Sequence, residues 1–100
     1  MAATIHSINL IISDSKVRGG RPTLLGKTIM VEDIVMLMRY QEPTPHGIAE
    51  WLNISLAEVH AALAYYYQNQ VEIDTSIAQR EAIGKHYEEK RIGSRHKPLS

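Results

Sequence analysis

The sequence predicts a mainly α-helical domain: a short N-terminal β segment, a homeodomain-like helix-turn-helix core of three helices, and a C-terminal helix. Two observations indicate this fold. Apolar residues recur at every second position near the N-terminus but with a helical period from Val31 onward. Prolines and capping residues then divide the stretch after Val31 into separate helices. One hundred residues make a single small domain.

The N-terminal region predicts three short strands. Residues 7–13 (SINLIIS) alternate apolar and polar side chains, as a strand does. The segments TLL and TIMV, on either side of Gly26, predict two more strands around a tight turn. Gly19 and Gly20 permit positive φ angles and Pro22 fixes its own φ, so we expect a rigid corner before the second strand.

Three core helices follow. The first is predicted from Val31 to about Gln41, where Pro43 ends it. Thr44 is the expected N-cap of the second, with Pro45 at its first position. For the second and third helices, the predicted inward residues are Ile48, Ala49, Leu52, Leu56, Val59, Leu63 and Tyr66.

The third helix has the clearest local signal. Ser55 and Glu58 are spaced as a capping box, and Ile54 and Val59 as the hydrophobic staple across it. We expect this helix to run to about Gln70.

A last helix is predicted at about 75–91, with Asp74 as its cap and a polar tail after it. Its apolar residues are sparse, which makes it marginal without a partner. We therefore divide the chain into a core, 1–73, and a partner-binding helix and basic tail, 74–100.

Charge is distributed unevenly, although the net charge is zero. Residues 15–27 carry four cations and no acid. Residues 28–79 carry one arginine against seven acids, a net charge of −6, and residues 80–100 carry six cations against three acids, a net charge of +3. Two basic ends thus flank an acidic middle.

The stretch GGRPTLLGKT (19–28) approximates a phosphate-binding loop but does not fit one. From Gly20, the spacing to Gly26 and Lys27 is one residue too long, and Pro22 offers no N–H to a phosphate. The following residues favour a strand where a helix should begin. We interpret the glycines as turn residues.

VRGGRPTLLGKTIMVEDIV, followed by GIAEWLNISLAEVHAALAYY, resembles the domain of unknown function 433 family, whose members resemble VapB-like bacterial antitoxins. The resemblance covers about residues 10–70. One departure is that Lys27 precedes Thr28, whereas the family's basic residue follows the threonine. The matching positions are Gly19, Gly20, Arg21, Pro22, Gly26, Ile29, Val31, Asp33, Ile48, Ala49, Leu52, Val59, Ala62, Leu63, Ala64 and Tyr65.

The resemblance implies a cytoplasmic homodimer that neutralises a toxin similar to PIN-domain ribonucleases, encoded next to it, and that could repress its own operon. The marginal, basic C-terminal helix suits such a partner, because segments of this kind order on binding. The residues that we expect to bind the toxin are Ile77, Arg80, Ile83, Tyr87 and Arg91.

Operator DNA is a second possible partner. The third helix has no Lys or Arg, and the surrounding charge is negative, which favours a compact three-helix core over a groove-reading helix. If DNA is bound, the basic β segment is the better candidate, although its cations could equally be solvated charges on turns. Its four cations are Lys16, Arg18, Arg21 and Lys27. Two alternative functions remain: a DNA-binding regulator without a toxin partner, and a scaffolding module.

Three consecutive tyrosines, 65–67, cannot all face inward on one helix. We expect Tyr66 to lie in the core and Tyr67 to lie at a dimer interface. The alternative interpretation for Tyr67 is that it packs in the core. Leu24 and Ile29 in the β segment are the other expected dimer contacts.

The remaining features exclude several classes of protein. There is no cysteine, the five histidines lack metal-ligand spacing, and no catalytic triad or acid pair stands out. No apolar run approaches the ~20 residues of a membrane span. We expect no metal, no cofactor, no enzymatic activity and no membrane insertion.

Overall fold

The computed structural model describes residues 2–99, with side chains at 2–86 and 88. Two strands, β1 (Ile11–Ile12) and β2 (Thr23–Leu24), pair antiparallel, with Ile11 opposite Leu24. Four helices follow: α1 (Val31–Tyr40), α2 (Pro45–Leu52), α3 (Leu56–Gln68) and α4 (Gln70–Leu99). The mainly helical class with a short N-terminal β segment is confirmed.

The β segment is smaller than the sequence suggested. Only Ile11 and Ile12 of the expected strand 7–13 pair with β2, and Met30 makes a single bridge to Thr23 in place of a third strand. The corner between the strands is a left-handed turn, Arg18–Gly20, with φ values of 51°, 67° and 83°. Gly19 and Gly20 tolerate such angles, whereas Arg18 adopts one at a conformational cost.

Local signals set the helix starts as expected. The Thr44 hydroxyl accepts a hydrogen bond from the Gly47 N–H, 3.1 Å away, with Pro45 at the first helical position. Ser55 and Glu58 form the predicted capping box, with distances of 3.0 and 2.9 Å. Asn53 ends α2 in the left-handed conformation.

The core lies between α1, α2, α3 and the first turns of α4. Leu24 closes one end of it, and Tyr66 is buried as predicted. Leu56 was expected to face inward, but its side chain is 44% exposed. It lies at the first position of α3, outside the stripe that faces the core. The buried apolar residues include Leu24, Val31, Ile34, Val35, Ile48, Val59, Ala62, Leu63, Tyr66, Ile73 and Ile77.

The bounds of α4 differ from those predicted. The helix begins at Gln70 and runs to Leu99, and it includes the segment expected to be a polar tail. Asp74 does not cap it. Its carboxylate instead accepts hydrogen bonds from Arg39 on α1, at 2.6 Å, and from Tyr66 on α3, at 2.8 Å. This long-range partnership replaces the local role that the sequence suggested.

We predict that Ile77→Ala will lower the free energy of unfolding by about 2–5 kcal/mol, because Ile77 is 1% exposed and truncation leaves a cavity. Ile83→Ala makes the same chemical change on the same helix, at a side chain that is 58% exposed. It should cost less than about 0.5 kcal/mol. Urea unfolding of both variants measures the difference, and equal losses would contradict the docking of α4 described here.

Candidate functional site

The first turns of α4 are held to the body by a buried acid. Glu32, at the start of α1, is 2% exposed, and its carboxylate accepts a hydrogen bond from the Ser76 hydroxyl at 2.7 Å. Arg80 donates to Glu32 at 3.1 Å and to Asp33 at 2.7 Å. We call Glu32, Asp33, Ser76 and Arg80 the acid clamp. A buried carboxylate needs such partners, since an unpaired charge in the interior is costly.

A second polar contact joins the same helices. Arg39 donates to the Tyr66 hydroxyl at 2.8 Å and to Asp74, which the Tyr66 hydroxyl also reaches. These hydrogen bonds hold the pKa of Asp74 below its ordinary value, the one from Tyr66 contributing most and that from Arg39 next. Together with the acid clamp, this network fixes how α4 lies on α1 and α3.

Beyond the acid clamp, α4 leaves the body. The Tyr40 hydroxyl donates to Glu81 at 3.0 Å, and the side chains described after Arg80 are all exposed. A helix rises about 1.5 Å per residue, so the residues beyond position 80 extend well past the core. The radius of gyration, 17.5 Å, exceeds the ~13 Å of a compact 100-residue domain. We call residues 82–99 the arm, since Glu81 still contacts Tyr40 of α1.

The expected toxin-binding residues are therefore divided between the body and the arm. Ile77 lies in the core and Arg80 in the acid clamp, so both already have partners within the chain. Ile83 lies on the arm and is exposed. The side chains of Tyr87 and Arg91 lie outside the described residues, although α4 includes both positions.

The side of α4 that contacts the body continues along the arm, where Ile83 is exposed. Residues that follow one another at intervals of three or four share one side of a helix. Ser76 and Arg80 face the body at this spacing, and the sequence continues it. The next positions in the series are Ile83, Tyr87 and Arg91.

Of the four basic residues proposed for DNA, Lys27 is already engaged. Its ammonium group lies 2.8 and 2.7 Å from the two Glu58 oxygens. This ion pair, followed by the hydrogen bond from the Ser55 N–H, lowers the pKa of Glu58. Lys16 and Arg18 are exposed on the turn, and Arg21 lies 3.9 Å from Glu32. Sequence reasoning assigned Glu58 to the cap alone and missed this partner, 31 residues away.

The outward face of α3 borders a groove of about 510 Å³ shared with the N-terminal segment. Apolar and small side chains form most of it, and no Lys or Arg contributes. The α3 side chains that line the groove are Ala57, His60, Ala61, Ala64, Tyr65 and Gln68, and those from the N-terminal segment are Ile8 and Ile11. The face that a groove-reading helix would present to DNA thus carries no cation.

The expected dimer contacts lie in different environments. Leu24 is fully buried in the core of its own chain and so offers no surface to a second copy. Ile29 is half-buried and packs against that core. Tyr67 is 62% exposed on α3, seven positions after His60 and hence on the same side of the helix.

Two classes of site are absent from the part of the chain that the structure describes. Within it, no cluster of three or more His, Asp or Glu side chains could hold a metal ion. No helix among these residues is both long and apolar enough to cross a membrane.

We predict that Glu58→Gln will remove the ion pair with Lys27 but keep the capping hydrogen bond with Ser55. Glutamine can still accept from the Ser55 N–H, but it loses the charge opposite Lys27. At pH 7 we expect a loss of about 1 kcal/mol or less in the free energy of unfolding, since Lys27 is partly exposed.

The pH dependence checks the cause of that loss. The folded pKa of Glu58 lies below its ordinary value of 4.5, so the carboxylate stabilises the fold above that pH. Its contribution disappears as the pH falls through the folded pKa. The stability difference between wild type and Glu58→Gln should therefore shrink below about pH 4.5. A difference that stays constant down to pH 2 would contradict the ion pair.

Comparison with known protein families identifies a match over the first part of the chain. The family model described as "Protein of unknown function (DUF433)" matches residues 11–66, which contain the β segment, α1, α2 and nearly all of α3. No curated protein and no solved structure matches the chain. The match spans more than half of the sequence and ends before α4, so the chain belongs to the DUF433 family.

Proposed function

We propose that this protein is a cytoplasmic antitoxin that acts as a homodimer and neutralises a PIN-like ribonuclease toxin by means of the arm. The observation that carries the proposal is the continuation of one face of α4 from the core onto exposed helix. On the body this face docks through Ser76 and Arg80, and beyond them Ile83 is 58% exposed. In the complex, a groove of the toxin would cover the exposed part of this face, as the body covers the first part.

Energetics support a partner for the arm. A helix without tertiary packing is marginal in water, because most helical stability in proteins comes from burying one apolar face. Gly84 weakens the free helix further, by about 1 kcal/mol relative to alanine. Binding in a hydrophobic groove would bury Ile83 and order the segment, as amphipathic helices do in helix-in-groove complexes.

The acid clamp indicates which residues of α4 belong to the body and which are left to bind the toxin. Ile77 and Arg80 hold the fold of the body together, so removing all residues after 73 would damage the core as well as the arm. We therefore place the toxin-binding segment after Arg80, with Ile83, Tyr87 and Arg91 as its contacts. Ile77 and Arg80 instead anchor α4 to the body at the point where the arm begins.

We predict that a chain ending at Arg80 stays folded but no longer neutralises the product of the adjacent reading frame. Co-expression of the two proteins, with cell growth and RNA cleavage as readouts, measures neutralisation. In the full-length protein, Ile83→Glu should also weaken toxin binding, by at least tenfold, because it places a charge in an apolar contact. Trp51→Glu, at a side chain that is 60% exposed on α2, is the matched control. Full neutralisation by the truncated chain would overturn the assignment.

A DNA-binding regulator is the second candidate function. One observation favours it: Lys16, Arg18 and Arg21 all lie in the short connection between β1 and β2, and Arg18 has a left-handed conformation there. Cations grouped in this way can contact phosphates. Since Lys27 is paired with Glu58, it contributes less to such a surface than the sequence suggested.

We predict that, if operator DNA is bound, changing Arg18 and Arg21 together to alanine will weaken binding to the upstream DNA by about tenfold or more and reduce its salt dependence. Lys27→Ala should have a smaller effect. A gel-shift titration at two salt concentrations distinguishes these outcomes. Unchanged affinity in the double variant would remove the turn as the DNA contact.

A further inference from the structure

The N-terminal segment has no regular secondary structure from residue 2 to residue 10 and ends in the two-residue strand β1. One edge of β1 pairs with β2, and no strand of the described residues lies along the other. Residues 2–9 are exposed, and Ile5 and Ile8 are 91% and 80% exposed. An exposed edge with apolar side chains is a template for pairing with another chain, and native proteins rarely leave one uncovered.

This edge and the groove beside it form one continuous uncharged surface. Residues 2–13 contain no Asp, Glu, Lys or Arg, in a chain where 22% of residues are charged. Ile8 and Ile11 connect the edge to the α3 side of the groove, which is also free of charged side chains. We call residues 2–12 and the six α3 residues of the groove the uncharged face.

The lack of charge points to the occupant. DNA would require cations, and this face contains no Lys or Arg. A twofold axis places a surface against itself, so any charge near the axis meets its own copy and repels it. A surface without charged groups avoids that repulsion, and depletion of charge is typical of the core of protein interfaces.

The size of the surface also fits a second copy. The uncharged face contains seventeen residues, close to the ~20 per partner of a standard interface. Tyr67, exposed on the same side of α3 as His60, would extend it with a side chain type favoured in interfaces. We propose that two copies of this chain pair their N-terminal segments antiparallel along β1, and that each covers the other's α3 groove with Ile5 and Ile8.

This inference rests on the homodimer of the proposed function but does not depend on the toxin. It moves the dimer contact away from Leu24, which is buried within each chain, to the edge of β1 and the face of α3. The arm is separate from this surface, so a dimer would present two arms to its partners.

Sedimentation equilibrium of the full-length protein at micromolar concentration tests the proposal. We expect a dimer for the wild type and a monomer, or at least a hundredfold weaker association, for Ile8→Glu. Ala57→Glu should have the same effect. Position 57 is the second residue of α3, where a glutamate favours the helix, so loss of the dimer there cannot be attributed to unfolding.

Ile83→Glu is the matched control, because it places the same charge on an exposed isoleucine of the arm. We expect it to remain dimeric while losing toxin binding, which separates failure of the dimer surface from failure of the proposed function. A monomeric wild type, or a dimer unaffected by both Ile8→Glu and Ala57→Glu, would overturn the proposal. Circular dichroism of each variant shows whether the fold is retained.

Discussion

The buried carboxylate of Glu32 is the constraint on which the rest of the structure depends. It lies at the start of α1 with 2% of its surface exposed, so the fold is stable only while that charge has partners. Both close partners, Ser76 and Arg80, come from α4. The acid clamp therefore fixes the position of α4 along α1 and determines where the body ends and the arm begins.

The position of that boundary links the fold to the proposed function. One face of α4 has two different surroundings: Ser76 and Arg80 contact Glu32 of the body, whereas Ile83 is exposed to solvent. A helix that is secured at one end and exposed at the other presents a contact surface in a defined direction. In the proposed function, the segment that binds the toxin need not hold the core together, because the acid clamp lies before it in α4.

The sequence could predict those features that depend on neighbouring residues. Thr44 with Pro45, and Ser55 with Glu58, define helix starts within three residues, and each was confirmed. Burial of Tyr66 followed from the helical period. The start of α4 was not predicted, because two residues of a type favoured at N-caps compete for it: Asn69 precedes the helix, whereas Asp74 lies within it and has long-range partners instead.

Contacts between distant residues were beyond local reasoning. Arg80 and Glu32 are separated by 48 positions, and Lys27 and Glu58 by 31, so no spacing rule relates them. The sequence shows that Lys27 and Arg80 lie in basic stretches and that Glu32 and Glu58 lie in an acidic one. Charge patterning alone does not identify which of them pair. The four-residue spacing of Ile73 and Ile77 was the available sign that α4 docks before Arg80.

Amide hydrogen exchange along α4 in the free, full-length protein tests the central claim most directly. The account predicts that the amides of residues 73–80 exchange only with global unfolding, whereas those of 82–88 exchange far faster through local opening. Addition of the toxin should slow exchange in the second group alone. Uniform protection from residue 73 to residue 88 in the free protein would contradict a body that ends at the acid clamp.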